Sequence, residues 1–174
     1  SQKYSGDGII VDLTAPVTGT IIDGLTAELS YTGSNSVLST SWQGFSDGIS
    51  GINYYEYAIG SVAGGSDISD WTNIALDSAV TTTALNLSHA NTYYHSVRGV
   101  DLVSNVSQAV TSDGITVDLS TPETGIVIDG LEVDQYWTNS TTDLVLSWSG
   151  FQDTTSGISN FQLSFGTVAG ANNV

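Results

Sequence analysis

Residues 38–60 read LSTSWQGFSDGISGINYYEYAIG, and residues 144–166 read LVLSWSGFQDTTSGISNFQLSFG. In both, Ser-Trp-x-Gly-Phe leads through an Asp-containing turn to Ser-Gly-Ile and then to an aromatic segment. The hydrophobic period on either side of the turn is two. Leu144, Leu146 and Trp148 alternate with Val145 and Ser147, and Phe161, Leu163 and Phe165 alternate with Asn160, Gln162 and Ser164. The earlier stretch holds Leu38, Thr40 and Trp42, then Tyr55, Tyr57 and Ile59, at the same places. Successive side chains of an extended strand point to opposite faces. Each run therefore predicts a strand with one face in a core and the other in water.

The likeness extends outward from this stretch in both directions. Gly8-Ile9 matches Gly114-Ile115, Asp23-Gly24-Leu25 matches Asp129-Gly130-Leu131, and Ser41-Trp42 matches Ser147-Trp148, all at an offset of 106 positions. Laid ungapped, residues 1–68 and 107–174 agree at 30 of 68 positions, which predicts two copies of one domain. A spacing this long is that of a whole domain and not of a solenoid repeat. The match begins at Ser1-Gln2 against Ser107-Gln108. On this reading residues 1–13 are the last strand of a preceding repeat, 14–118 one complete repeat, and 119–174 the first half of the next. A half repeat exposes Trp148, Phe161, Leu163 and Phe165 and leaves strand edges open. Either the chain's own continuation or strands from another copy in a filament would cover them.

No segment carries sustained helical periodicity. Clusters such as Gly33-Ser34-Asn35, Asp47-Gly48 and Gly64-Gly65-Ser66-Asp67 separate strand-sized runs, the pattern of an all-β chain. Two basic residues, Lys3 and Arg98, face eighteen acidic ones, for a formal charge of -16. Such a chain repels nucleic acid and anionic lipid, and it suits a cation-rich medium. The absence of cysteine rules out disulfides and thiolate metal sites. No apolar run approaches the roughly 20 residues that a membrane-spanning helix needs.

Residues 87–93, LSHANTY, followed by the strand-like Tyr94 to Asp101, resemble the tyrosine corner and following strand of fibronectin type III domains. In that family the Tyr hydroxyl ties the strand to backbone just upstream. The Leu87-to-Tyr93 spacing fits, although His89 stands where the family often has Pro. Trp42 fits the family's buried Trp. Residues 98–107 resemble the last hairpin of bacterial copies of this fold. Val11-Asp12-Leu13-Thr14-Ala15-Pro16 and Val117-Asp118-Leu119-Ser120-Thr121-Pro122 resemble the junctions of bacterial Ig-like arrays in large secreted adhesins. The resemblance covers essentially the whole chain and implies tandem Ig-like or fibronectin III-like β-sandwiches of about seven strands per repeat. It further implies a secreted or bacterial cell-surface location and a stalk or filament whose partners are neighbouring repeats of the same chain. The alternative it leaves open is an accessory module of a secreted polysaccharide-degrading enzyme. Pro16 and Pro122 restrict their own φ and the residue before them, which predicts short, stiff connectors.

Catalysis finds little footing. His89 and His95 are the only candidates for a base near neutral pH, and neither lies in a nucleophile or metal-ligand motif, so no enzyme activity is expected. Ca²⁺ is the sharper idea, because it takes six to eight oxygens from carboxylates, carbonyls and amides. Asp12 and Asp118 flank the junction prolines, where they can converge with Asp101 or Asn105. The resemblance to calcium-rigidified arrays points the same way. Against it, no EF-hand loop is present, and Asp in turns is ordinary local chemistry. Asp47 and Asp153 read as turn formers. Trp71 either stacks on a glycan ring or folds over the sandwich edge as an anchor, which is the commoner use. Asn86, Asn105 and Asn139 head Asn-x-Ser/Thr triplets, unremarkable in a chain this rich in those residues.

Overall fold

The computed structural model describes residues 1–173. Among them every regular element is a strand: β1 (Thr20–Asp23), β2 (Tyr31–Thr32), β3 (Leu38–Gln43), β4 (Ile52–Gly60), β5 (Ser69–Asn73), β6 (Ala79–Thr82), β7 (Thr92–Asp101), β8 (Val110–Thr111), β9 (Ile115–Val117), β10 (Ile126–Asp129) and β11 (Leu146–Ser149). They fall into two compact units, Ser1–Leu119 and Ser120–Val174.

The first unit is a sandwich. One sheet has the order β1-β3-β6, and the other runs β2-β9-β7-β4-β5 with β8 also paired to β7. Only the β2–β9 pair is parallel among these ladders. Alternation does in β3 what the sequence implies: Leu38, Thr40 and Trp42 are buried while Ser39, Ser41 and Gln43 face outward. From the facing sheet come Tyr57 and Ile59 of β4, Tyr93 and Val97 of β7, and Ile115 and Val117 of β9. Aromatic edges lock the end of this core. Tyr55 meets Trp42 and Phe45 with ring centroids 5.8 and 5.5 Å apart, both edge to face. The Tyr93 hydroxyl accepts the Ser88 amide at 3.0 Å, pinning the turn before β7.

The unit has nine strands where the resemblance implied about seven, and a bulge accounts for part of the difference. β8 and β9 both pair with β7, but residues 112–114 oppose only Tyr94 and His95 between the paired positions. Gly114 takes a φ of 100°, and a side chain there would strike Thr92 and Tyr94. The bulge is fastened at both ends of Ser112, whose amide donates to His95 O and whose Oγ accepts from His95 N.

In the second unit β10 pairs with β11 in the same register that β1 makes with β3: Val127 lies opposite Trp148 as Ile21 lies opposite Trp42. Gly125, like Gly19, sits where a Cβ would run into the facing backbone carbonyl, Ser149 O in one case and Gln43 O in the other. Phe161 meets Trp148 and Phe151 at 5.5 and 5.7 Å, the counterpart of the Tyr55 cluster. Residues 161–165, expected to be a strand, have no strand structure. In the first unit the equivalent β4 is held by β5 and β7. Residues 120–173 contain no counterpart of either, so this backbone has no ladder to join. Trp148, Phe161 and Leu163 are accordingly about half exposed, whereas Trp42 is 4% exposed.

A carboxylate clamp on the connector as candidate functional site

Three segments of the first unit meet around one small volume: the connector ahead of Pro16, the β3–β4 loop and the end of β7 with the loop that follows it. Each supplies one carboxylate. Oxygens of Asp12, Asp47 and Asp101 lie within 4.8 Å of one another. Every arm is pre-set by local chemistry. Asp47 Oδ1 accepts the amides of Ile49, Ser50 and Gly51 at 2.8–3.0 Å, so this turn is built around its carboxylate. Asp153 does the same with Thr155, Ser156 and Gly157 in the second unit. Asp101, fully buried, accepts the Val103 and Asn105 amides at 2.9 and 2.8 Å and the Asn105 side-chain amide at 2.7 Å.

The connector is tied to both loops. Asp12 Oδ1 accepts the Thr14 hydroxyl and amide at 2.7 and 2.9 Å, and its Oδ2 accepts the Ser50 amide at 3.1 Å. Asn105 donates to Thr14 O at 3.0 Å, bridging the loop after β7 to the connector backbone. Val17 and Ser46 then exchange backbone hydrogen bonds. These contacts set the electrostatics. The Thr14 hydroxyl and amide, then Ser50, hold Asp12 well below the usual carboxylate range, at about 2. Burial pushes Asp101 upward most strongly and the like charge of Asp12 adds to it, but the Asn105 and Val103 donors outweigh both and leave its pKa lowered.

The donor set fits a hard divalent cation. All three side chains offer oxygen, the preference of Ca²⁺. Among the described residues no Lys or Arg forms a salt bridge with them. Ser50 adds a further oxygen. Its Oγ is buried without a hydrogen-bonding partner, although it lies near enough to Asp12 to help lower that group's pKa. Of the residues singled out in the sequence for calcium, the structure gathers Asp12, Asp101 and Asn105. Asp118 lies apart from them, past the end of β9, 3.6 Å from His89 Nδ1. Asp47 is a turn former and a member of the cluster as well. Its signal was the repeated Asp47/Asp153 position, but nothing local distinguishes such a turn from one that meets two other segments.

A second acidic group, Asp23, Glu28 and Asp113, is equally close-set. Both Asp23 oxygens are engaged there, by His95 Nδ1 and the Gly114 amide, as both oxygens of Asp12 and of Asp101 are in the clamp. Trp71 on β5 carries the Arg98 guanidinium 4.2 Å from its ring centroid, and Arg98 Nε donates to Glu56 at 2.7 Å. One face of the indole is thus covered by a cation. The Asn105 amide nitrogen, the atom a glycan would modify, is spent in the clamp. Compared with known proteins, the chain matches no family model and no curated protein.

Proposed function

We propose that this chain is a structural module of an extracellular stalk or filament, a repeat protein of the fibronectin III-like class found on bacterial surfaces. The observation that carries the reading is the clamp: the backbone entering the sandwich at residues 12–14 is bonded to two separate loops. A connector held this way transmits orientation from one repeat to the next, which a flexible tether cannot do. The sequence repeats these residue types at Asp118, Ser120, Pro122, Asp153 and Ser156. Ca²⁺ held by Asp12, Asp47 and Asp101 would neutralise the clustered charge and cross-link the three segments. Among the described residues no helix is long and apolar enough to cross a membrane. The glycan-binding alternative draws no support from Trp71, whose ring is stacked under Arg98.

The test exploits the absence of native cysteine. Spin labels on Leu13→Cys and Leu76→Cys, both exposed positions, report how tightly the connector is held. A narrow distance distribution that broadens in Asn105→Ala supports the reading. A distribution already broad in the parent overturns it.

A further inference from the structure

We propose that His89 is a proton-sensitive latch on the segment leaving the first sandwich: its neutral ring holds the Leu119 amide, and protonation lets that amide go. Residues 117–119 leave β9 through three successive ties. Val117 exchanges backbone hydrogen bonds with the turn before β7. Its amide donates to Asn91 O at 2.9 Å, and its carbonyl accepts the Ala90 amide at 2.7 Å. The Asp118 amide donates to Thr32 O at 2.8 Å. The third tie differs in kind, because the Leu119 amide donates to a side chain, Nδ1 of His89, at 3.1 Å. It holds the last residue of the first unit, since the second begins at Ser120.

A backbone N–H can only donate, so Nδ1 must be bare and the ring neutral, with its proton on Nε2. A second proton can add only at Nδ1. It turns the acceptor into a donor, and two N–H groups then face each other. The charged ring also has a better partner at hand, since Asp118 Oδ1 lies 3.6 Å from the same nitrogen. An ion pair thus replaces the amide bond, and the exit segment is untied while the sandwich stays intact. Among the described residues Asp118 is the one charged group paired with the ring, and the neighbouring segments 30–36 and 87–93 contain no Asp, Glu, Lys or Arg. Their other titratable groups are Tyr31 and Tyr93, and the Tyr93 hydroxyl is held by the Ser88 amide. The His89 side chain is 43% exposed, so protons reach it from solvent without unfolding. His95 differs on both counts, being fully buried with Nδ1 on Asp23. The latch draws on neither the clamp nor a metal, because Asp118 lies outside the Asp12, Asp47 and Asp101 cluster.

NMR on the full, isotopically labelled chain between about pH 8 and about pH 5 tests it. At the upper end the His89 Nδ1 signal should be that of an unprotonated nitrogen. The Leu119 amide should shift with the same midpoint as the His89 ring. Its order parameter should fall from about 0.85 to below about 0.6 as the ring gains its proton, while Val117 keeps its value. In His89→Gln, whose side-chain oxygen accepts at any pH, the Leu119 amide should stay put throughout. His95 is present in both chains and controls for the other ring. A Leu119 order parameter unchanged on protonation of His89 overturns the proposal, because the ring's charge would then be felt at the amide without releasing it. So does a Leu119 transition that persists in His89→Gln, which would trace it to another group. A ring that stays neutral across the whole span overturns it as well.

Discussion

Asp23 of β1 and His95 of β7 meet across the two sheets of the first unit, Oδ1 and Nδ1 2.6 Å apart and neither side chain exposed. The second Asp23 oxygen takes the Gly114 amide at 3.0 Å, and its backbone amide donates to Glu28. One carboxylate thus joins the three-stranded sheet, the central strand of the other sheet and the bulge before β9. His95 Nε2 is buried without a partner, so Nδ1 supplies the ring's one hydrogen bond.

Removing one member of such a pair strands the other in the core. Asp23→Ala should destabilise the first unit by about 3–5 kcal/mol, the range for a broken buried pair. Restoring an apolar fill with Asp23→Leu/His95→Leu should cost less than the two single changes added together. Urea unfolding followed by tryptophan fluorescence measures both. A loss below about 1 kcal/mol for Asp23→Ala would show that the contact is incidental.

Acid should loosen the connector in a defined window. Asp12 is lowered from 3.8 to about 2, so it binds its donors better as the carboxylate than as the acid. A depressed folded-state pKa contributes stability that is fully present above 3.8 and is lost as the pH falls through about 2. NMR shifts of the Thr14 and Ser50 amides should therefore hold steady down to the ordinary carboxylate range and move together below it. Titration of these amides with a midpoint at or above 3.8 would contradict the clamp.

The alternating runs around Trp42 carry most of the fold information, because period two and frequent turns leave little besides a β-sandwich. The tie from Tyr93 to Ser88 was expected only from the resemblance of residues 87–93 to a tyrosine corner, and the hydrogen bond is present. What escaped the sequence is non-local. Asp23 and His95 are 72 residues apart, and no spacing rule connects them. Asp47 looked complete as a turn, since three amides satisfy one oxygen, and only the assembled fold brings Asp12 and Asp101 alongside. The missing strand at 161–165 teaches the converse, because alternation supplies a buried face but cannot supply a ladder partner.

Calcium should raise the thermal midpoint of the first unit. A cation that binds the folded clamp and not the unfolded chain stabilises by mass action, and saturating Ca²⁺ should shift the midpoint by roughly 5 °C or more relative to EDTA. Asp47→Asn keeps an oxygen for the turn amides but removes one charge, so it should reduce the calcium-induced shift while leaving the EDTA midpoint nearly unchanged. Mg²⁺, which prefers rigid octahedral sites and keeps its water, should give a smaller shift. Superimposable melting curves with Ca²⁺ and EDTA would remove the metal from the account.

Tyr93→Phe isolates a single hydrogen bond in a core that otherwise keeps its shape. The ring stays, and the Ser88 amide loses its acceptor at the turn before β7. The cost should be about 1 kcal/mol, rising toward 3 kcal/mol if the amide finds no water. Hydrogen exchange at Ser88 should quicken before any global change, because the turn is freed first. Unaltered stability together with unaltered exchange would mean that the hydroxyl does not pin the turn.

Trp71 separates the stalk from a polysaccharide-binding module. Its ring lies against Arg98, which is itself fixed to Glu56, so stacking a sugar on that face requires displacing the guanidinium. Affinity electrophoresis through soluble polysaccharides should show no retention for the parent or for Trp71→Ala. The substitution should still cost about 0.5–1 kcal/mol of stability through the lost cation–π contact. Parent-only retention would favour the enzyme-accessory reading, and it would require Arg98 to swing clear of the indole when glycan binds.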